Sequence, residues 1–389
     1  MRQAVMAISW GIACVAAVAA LAGEPVAPPM VDWPQPAART NPPQSDAEKE
    51  RGKRVGRDLP TAELLQPTLD PALPKYVPRS DVRIAGHFTA AASDVLAGLA
   101  RNWCREFSRI YPQVTIDVPP PYAGSLGAKE LVKGSIDFVF VSRELKPDDI
   151  TGFQARFGYP PLSVPISGGT YRHFGFLDAM VFMVHPDNPL TALTFAQLDA
   201  IYSSTRHRGG APITTWGQLG LGGEWADKPI HAYGIRPWNG FEEFIRQRIL
   251  SRDGLRGEWR PDIRYSEMVY PLAARVAGDR YGIGYTGVAY LDAPVRVLAL
   301  RAQPGADYQA PSYENVARGS YPLSRLAYFN VNRAPDRPLN PAIEELLRFI
   351  RSRDGQRIVA EQGIFLPLRA AQLGADPTAA TNSPDSSTR

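Results

Sequence analysis

The sequence predicts an α/β protein with a parallel sheet covered by helices, and three observations carry that expectation. Short apolar runs with strand character alternate with segments of helical periodicity through the middle of the chain. Three of them, Val82–Ser93, Val114–Lys129 and Phe138–Asp149, each run from a strand through a Ser- or Gly-bearing turn into a helix. No repeat of fixed period points to a solenoid or propeller instead.

The elements follow in order. Val82–Ala85 is β-prone, and Val95, Leu96, Leu99, Trp103, Phe107 and Ile110 form an apolar stripe at helical spacing within Ser93–Ile110. Val114–Val118 reads as a strand, Leu126–Lys133 as a short helix and Ile136–Val141 as a strand. Met180–His185 is a strand, and Thr194 is a fit N-cap for a helix reaching Tyr202. Phe241–Leu250 and Met268–Ala277 read as helices, Gly282–Tyr290 and Val295–Leu300 as strands, and Pro341–Ile350 and Gln356–Gln362 as closing helices.

The 389 residues (42.6 kDa) are enough for one large core or two lobes of ordinary size. A hydrophobic content of 44% and a charged content of 21% are those of a soluble globular protein. The net charge of +4 is modest and not clustered, which argues against a nucleic-acid partner. At the N-terminus Arg2, the apolar run Ala4–Leu21 and the small-x-small triplet Ala20-Leu21-Ala22 form a signal peptide over 1–22, so the chain is expected to be periplasmic or secreted. Cleavage leaves Cys104 as the one cysteine, without a disulfide partner and set in a helical stripe that would bury it. Prolines recur from Gly23 to about Arg79 without periodicity, so residues 23–80 are expected to be a disordered leader, with a short helix at Thr61–Leu65. Residues 369–389 are expected to form a disordered tail.

Helix N-termini present unpaired N–H groups and partial positive charge, and several converging on one point would receive an oxyanion. Gly124-Ser125-Leu126-Gly127 with Lys129 lacks the spacing of a Walker loop; it offers amide and hydroxyl donors, or is a plain strand–helix turn. Ser142 can donate to an anion and Arg143 can pair with it bidentately, unless Arg143 and Glu144 form a surface ion pair. In Arg236-Pro237-Trp238-Asn239-Gly240, Asn239 fits an N-cap and Arg236 can reach a ligand over that helix terminus; a purely structural cap is the alternative. Gly282-Ile283-Gly284-Tyr285-Thr286-Gly287 matches the dinucleotide fingerprint, but Asp292-Ala293-Pro294 interrupts where a long helix is required, leaving a glycine-kinked strand. The five histidines are scattered without metal-ligand spacing, and no nucleophile elbow stands out. The reading is a receptor without a reaction: no enzyme, no cofactor, no metal.

Taken in series, these segments resemble the phosphate-type periplasmic substrate-binding proteins of ABC transporters. The likeness spans about Asp81–Leu368 and rests on an order of features. Tyr111-Pro112-Gln113-Val114 comes first, then Tyr122-Ala123-Gly124-Ser125-Leu126-Gly127, Gly134-Ser135-Ile136-Asp137-Phe138 and Ser142-Arg143-Glu144-Leu145. Val184-His185-Pro186-Asp187-Asn188-Pro189-Leu190, Trp216-Gly217-Gln218-Leu219 and Ile283-Gly284-Tyr285 follow. The resemblance implies a two-lobed type II binding-protein fold with a hinge, lobe I from 81–178 plus 285–368 and lobe II from 179–284. It implies capture of inorganic phosphate or a related oxyanion by a monomer that serves an ABC transporter permease. The ligand residues it implies are Thr89, Ser93, Gly124, Ser125, Ser142, Arg143, Arg236, Asn239 and Gly240, with either Thr89 or Ser93 capping the first site helix.

Three departures stand out. Arg236-Pro237-Trp238-Asn239-Gly240-Phe241 lacks two hydroxyl donors that many phosphate binders carry there. Arg143 stands beside the third-loop serine, where some relatives place an acid that accepts the phosphate proton, a role open to Glu144. Gly86-His87-Phe88-Thr89 runs on for extra residues before Ser93-Asp94. A scaffold or sensory module on the same fold is the alternative these departures leave open, with a secreted phosphatase behind it.

Overall fold

The computed structural model describes residues 68–374 apart from 121–125, 172–176 and 238. The signal peptide, the leader up to residue 67 with its short helix, Gly124, Ser125 and the tail beyond Gly374 lie outside the described residues.

Lobe I opens with β1 (Gly86–Ala92), α1 (Ala97–Ile110), β2 (Val114–Asp117), α2 (Leu126–Lys133), β3 (Phe138–Val141), α3 (Pro147–Phe157) and β4 (Leu162–Gly168). Lobe II follows with β5 (Met180–Val184), β6 (Ala192–Thr194), α4 (Phe195–Tyr202), β7 (His231–Ile235), α5 (Gly240–Ile245), β8 (Arg264–Ser266), α6 (Pro271–Ala277), β9 (Gly282–Gly287), β10 (Arg296–Val297) and β11 (Ala299–Arg301). The chain then returns through α7 (Tyr313–Arg318) to β12 (Leu326–Val331), α8 (Pro341–Arg351) and α9 (Arg353–Gln362).

Each lobe is built on a five-stranded sheet, ordered β2-β1-β3-β12-β4 in lobe I and β10-β5-β9-β7-β8 in lobe II. β1 runs parallel to both β2 and β3, so the three strands deliver their chain to one edge of the sheet. The first strand lies four residues beyond the expected Val82–Ala85. Ala90, Ala91 and Ala92 are poor strand formers, yet they are fully buried between flanking strands and helices, where small side chains fit and packing overrides propensity. The apolar stripe of α1 faces this sheet, and Trp103 Nε1 donates to the Gly355 carbonyl at 2.8 Å. Aromatic rings fill the sheet core, Phe138 stacking on Phe329 with centroids 4.7 Å apart. In lobe II Trp259 stacks on Tyr285 at 5.8 Å over a separate core.

Two departures concern boundaries. The expected end of lobe II at Gly284 falls inside β9, which pairs with β5 from Val184↔Ile283 to Met180↔Gly287. β10 and β11 then extend lobe II, and the second crossover comes only at about Leu323–Leu326. The two crossing segments are tied together: Gly169 N–H donates to the Arg325 carbonyl at 2.7 Å and Met180 N–H to that of Leu323 at 3.1 Å. At the other boundary, residues 68–80 of the expected leader pack on lobe I. Leu73 is buried, and Arg353 N–H donates to the Pro74 carbonyl at 2.8 Å. The glycine-rich Gly282–Gly287 segment is a fully buried strand. Among the described residues no helix is long and apolar enough to cross a membrane.

Candidate functional site

The parallel register of β1 and β3 sets Ala92 opposite Phe140, so the residues leaving the two strands emerge side by side. Ser93 is the N-cap of a 3₁₀ turn (Asp94–Leu96) that leads into α1, and its side chain caps no helical N–H. That leaves Ser93 Oγ to accept the Ser142 N–H at 3.3 Å, while Ser93 N–H donates to the Phe140 carbonyl at 2.9 Å. Two serines 49 positions apart thus stand together at the C-terminal edge of the lobe I sheet, Ser93 buried and Ser142 partly so. α2 begins at Leu126, directly after residues 121–125, which include Gly124 and Ser125 and lie outside the described residues.

Thr89 does not join them. It lies in the middle of β1, where its N–H donates to Asp137 Oδ2 at 2.8 Å and it pairs with Asp117 across to β2. Four residues of strand place it roughly 13 Å from Ser93. The extra residues before Ser93-Asp94 are therefore strand, and the first cap is Ser93.

Arg143 is turned to its own loop. Its Nη2 pairs with Asp149 Oδ2 at 3.0 Å and its Nη1 donates to the Glu144 carbonyl at 2.7 Å. Asp149, buried in the first turn of α3, also accepts the Lys146 N–H at 3.0 Å, so the arginine ties the loop to that helix terminus. Glu144 reaches the other way. Its Oε1 accepts from Arg248 Nη2 of lobe II at 2.9 Å and from Tyr328 OH at 3.2 Å.

Across the cleft, Asn239 caps α5 as expected, its Oδ1 accepting the Phe241 N–H at 2.9 Å. Gly240 starts the helix, and a Cβ built on it would meet nothing within 4 Å, so this first turn borders open space. Arg236 is half-exposed and its Nε lies 2.5 Å from Glu267 Oε1. The expected helix over Phe241–Leu250 divides into α5 and a π-helical turn, Arg246–Leu250. Arg248 thereby faces lobe I, and Arg246 is held by Glu242 at 2.7 Å and Glu258 at 2.9 Å.

Sequence reasoning missed Arg325 and Asp178, which the two crossovers bring to the same place. The Arg325 guanidinium lies 5.3 Å from the Phe241 ring centroid and 5.1 Å from that of Phe244. Asp178 is fully buried, its Oδ2 accepting the Ala289 N–H at 3.0 Å, and burial raises its carboxyl pKa to about 7. Neither residue belongs to a local motif, so only tertiary structure reveals them.

Cys104 is buried and burial pushes its thiol up to about 12, so it is inert at neutral pH. Among the described residues no three His, Cys, Asp or Glu side chains group as metal ligands. The arrangement offers hydroxyl and amide donors from lobe I facing a capped helix start from lobe II, which is chemistry for holding an anion.

The model of the PBP superfamily domain matches residues 77–354. The phosphate-binding protein PstS of Pseudomonas aeruginosa is 35% identical over 304 residues, covering 78% of this chain and 88% of the relative. Protein SphX of Synechococcus elongatus is 25% identical over 285 residues, covering 72% of this chain and 77% of the relative. The crystal structure of PstS from Borrelia burgdorferi is 18% identical with a TM-score of 0.48, covering 73% of this chain and 99% of that one.

Proposed function

The chain belongs to the PBP superfamily, and from that premise we propose that it captures phosphate for an ABC transporter. The observation that carries the ligand is the 35% identity over 304 residues to a protein named for phosphate binding. The site geometry supplies a way to do it. An arriving oxyanion takes the Ser142 N–H from Ser93 Oγ, and the freed Ser93 hydroxyl turns to donate to the same anion. Charge-assisted hydrogen bonds of this kind are stronger than the neutral one they replace. From lobe II the first turn of α5, opened by Asn239 and Gly240, adds backbone donors, and contacts to both lobes draw the hinge closed.

In this reading Ser93, Ser142, Asn239 and Gly240 contact the ligand together with Gly124 and Ser125, and Arg236 moves from Glu267 to the anion on closure. Arg143 positions the Ser142 loop. The protein acts outside the cytoplasm as a monomer, hands its ligand to a permease, and catalyses nothing. Isothermal titration of the purified protein with phosphate, sulfate and molybdate tests the reading: phosphate is expected to saturate one site per chain. Heat from none of the three at millimolar concentration rejects it, and turnover of a chromogenic phosphate ester would make the protein an enzyme instead.

A further inference from the structure

We propose that Arg325 is a ligand-binding residue of the cleft, a second cation beside Arg236 that faces the captured anion; this rests on the phosphate-capture reading above. The backbone of Arg325 is pinned where the lobes meet, its carbonyl accepting the Gly169 N–H at 2.7 Å. Its side chain extends from there toward α5, and the residue is only 7% exposed. Phe241 and Phe244, three apart on one face of that helix, hold the guanidinium by their rings at 5.3 Å and 5.1 Å.

What the group lacks is an anion. Its Nε has no hydrogen-bond partner, and among the described residues no carboxylate comes within 4.0 Å of it. Of the two acids that act on it most through space, Glu144 is held by Arg248 and Tyr328, and Asp178 gives one oxygen to the Ala289 N–H while its other oxygen is buried without a hydrogen-bond partner. Burial lowers the guanidinium pKa, and Glu144 and Asp178 oppose that only through space. A buried, unpaired cation is costly unless something of opposite charge reaches it, and two aromatic faces compensate it in part. The guanidinium lies on Phe241, whose N–H Asn239 caps at the start of α5, and interacts through space with Glu144, two residues beyond Ser142. An oxyanion seated on Ser93 and Ser142 completes its coordination.

The experiment is phosphate titration by calorimetry, with thermal unfolding with and without phosphate, on the unaltered protein and on Arg325→Gln, Arg325→Lys and Ser93→Ala, all at pH 8. Arg325→Gln is expected to weaken phosphate binding at least tenfold and to abolish the phosphate-induced rise in Tm. Its ligand-free Tm should stay unchanged or rise, which a merely structural role would not produce. Arg325→Lys should fall between the two, at least threefold weaker than the unaltered protein. Phosphate affinity of Arg325→Gln within twofold of the unaltered protein overturns the proposal. If Arg325→Gln does not fold, Arg325→Lys decides: threefold weakening supports the assignment and unchanged affinity overturns it. The two readings fail differently. No phosphate heat from the unaltered protein removes the capture reading and this one with it; loss of affinity in Ser93→Ala but not in the Arg325 variants removes this one alone.

Discussion

Glu144 of lobe I and Arg248 of lobe II meet at 2.9 Å across the cleft, 13% and 7% exposed. Tyr328 OH at 3.2 Å satisfies a second lone pair of the carboxylate. The Arg248 guanidinium also lies 5.4 Å from the Phe244 ring, whose neighbourhood Arg325 shares. Removing one member strands a buried charge. Arg248→Ala or Glu144→Gln should therefore destabilise by about 3 kcal/mol or more, while replacing both by apolar residues should cost far less. Urea unfolding of the two single variants and the double variant checks this; additive effects would show that the pair is not coupled.

The Ser93 and Ser142 pairing predicts a different balance. Ser93 Oγ caps no helical N–H, so its stabilising role is one long hydrogen bond from Ser142. Ser93→Ala should cost no more than about 1 kcal/mol in unfolding free energy. The same substitution removes a hydrogen bond to a charged ligand, worth about 1.5–3 kcal/mol, so phosphate affinity should fall roughly tenfold or more. Circular dichroism melts and calorimetry on one preparation separate the two effects, and an unchanged affinity would take Ser93 out of the site.

These residues also mark what was legible in the sequence. Ser93 and Ser142 could be picked out because a strand, a hydroxyl and a helix start are all local signals, and parallel pairing then brings the strand ends together. The helix cap at Asn239 was legible for the same reason. Thr89 was not separable from Ser93, because three alanines gave no sign that β1 continued through them. Arg143 misled because its partner Asp149 is a matter of loop shape, six residues on, rather than of spacing. Arg248 and Arg325 were invisible: their partners lie 104 residues away in one case and on another lobe's helix in the other. The lobe boundary shifted for a similar reason, since only strand pairing shows that β9 to β11 belong to lobe II.

Asp178 supplies a pH prediction. Its Oδ2 accepts the Ala289 N–H, and Gly287 makes room for the carboxylate, since a Cβ there would run into it. Burial raises the folded-state pKa to about 7, against about 3.9 in an unfolded chain. The folded state then binds more protons than the unfolded state between those values, so the Asp178 contribution to stability is fully present below about pH 4 and is lost as the pH rises through about 7. Glu243, raised to about 7 chiefly by burial and by neighbouring Glu242, acts in the same direction. Asp178→Asn keeps an acceptor for Ala289 and removes the titration. Its stability relative to the unaltered protein should improve by about 2–3 kcal/mol between pH 5 and pH 8. Urea midpoints of both proteins at the two pH values measure this, and a constant difference would mean that Asp178 stays ionised throughout.

The N-terminal segment makes the last prediction. Residues 68–80 are bound to lobe I by several ties, although their composition reads as leader. Leu73 is 3% exposed, and the Tyr76 ring meets Phe349 edge-on with centroids 5.1 Å apart. Tyr76 N–H donates to Asp354 Oδ2 at 3.0 Å and its OH to Glu345 Oε1 at 2.7 Å. Ala370 N–H donates to Asp70 Oδ2 at 2.9 Å, so the same segment also secures the stretch after α9. Glu345 is fully buried and also accepts the Arg79 N–H at 3.3 Å, so removing residues 68–80 takes two of its donors and leaves Tyr111 and Arg348. Burying the Leu73 side chain contributes about 1.5–3 kcal/mol, and the half-buried Tyr76 ring adds to it. A chain beginning at Thr68 keeps all of these contacts. One beginning at Asp81 should lose about 3–5 kcal/mol. Phosphate binding should survive in whatever fraction of the shorter chain stays folded, because none of these contacts reaches the cleft. Equal midpoints for the two truncations would mean that the segment only rests on lobe I without stabilising it.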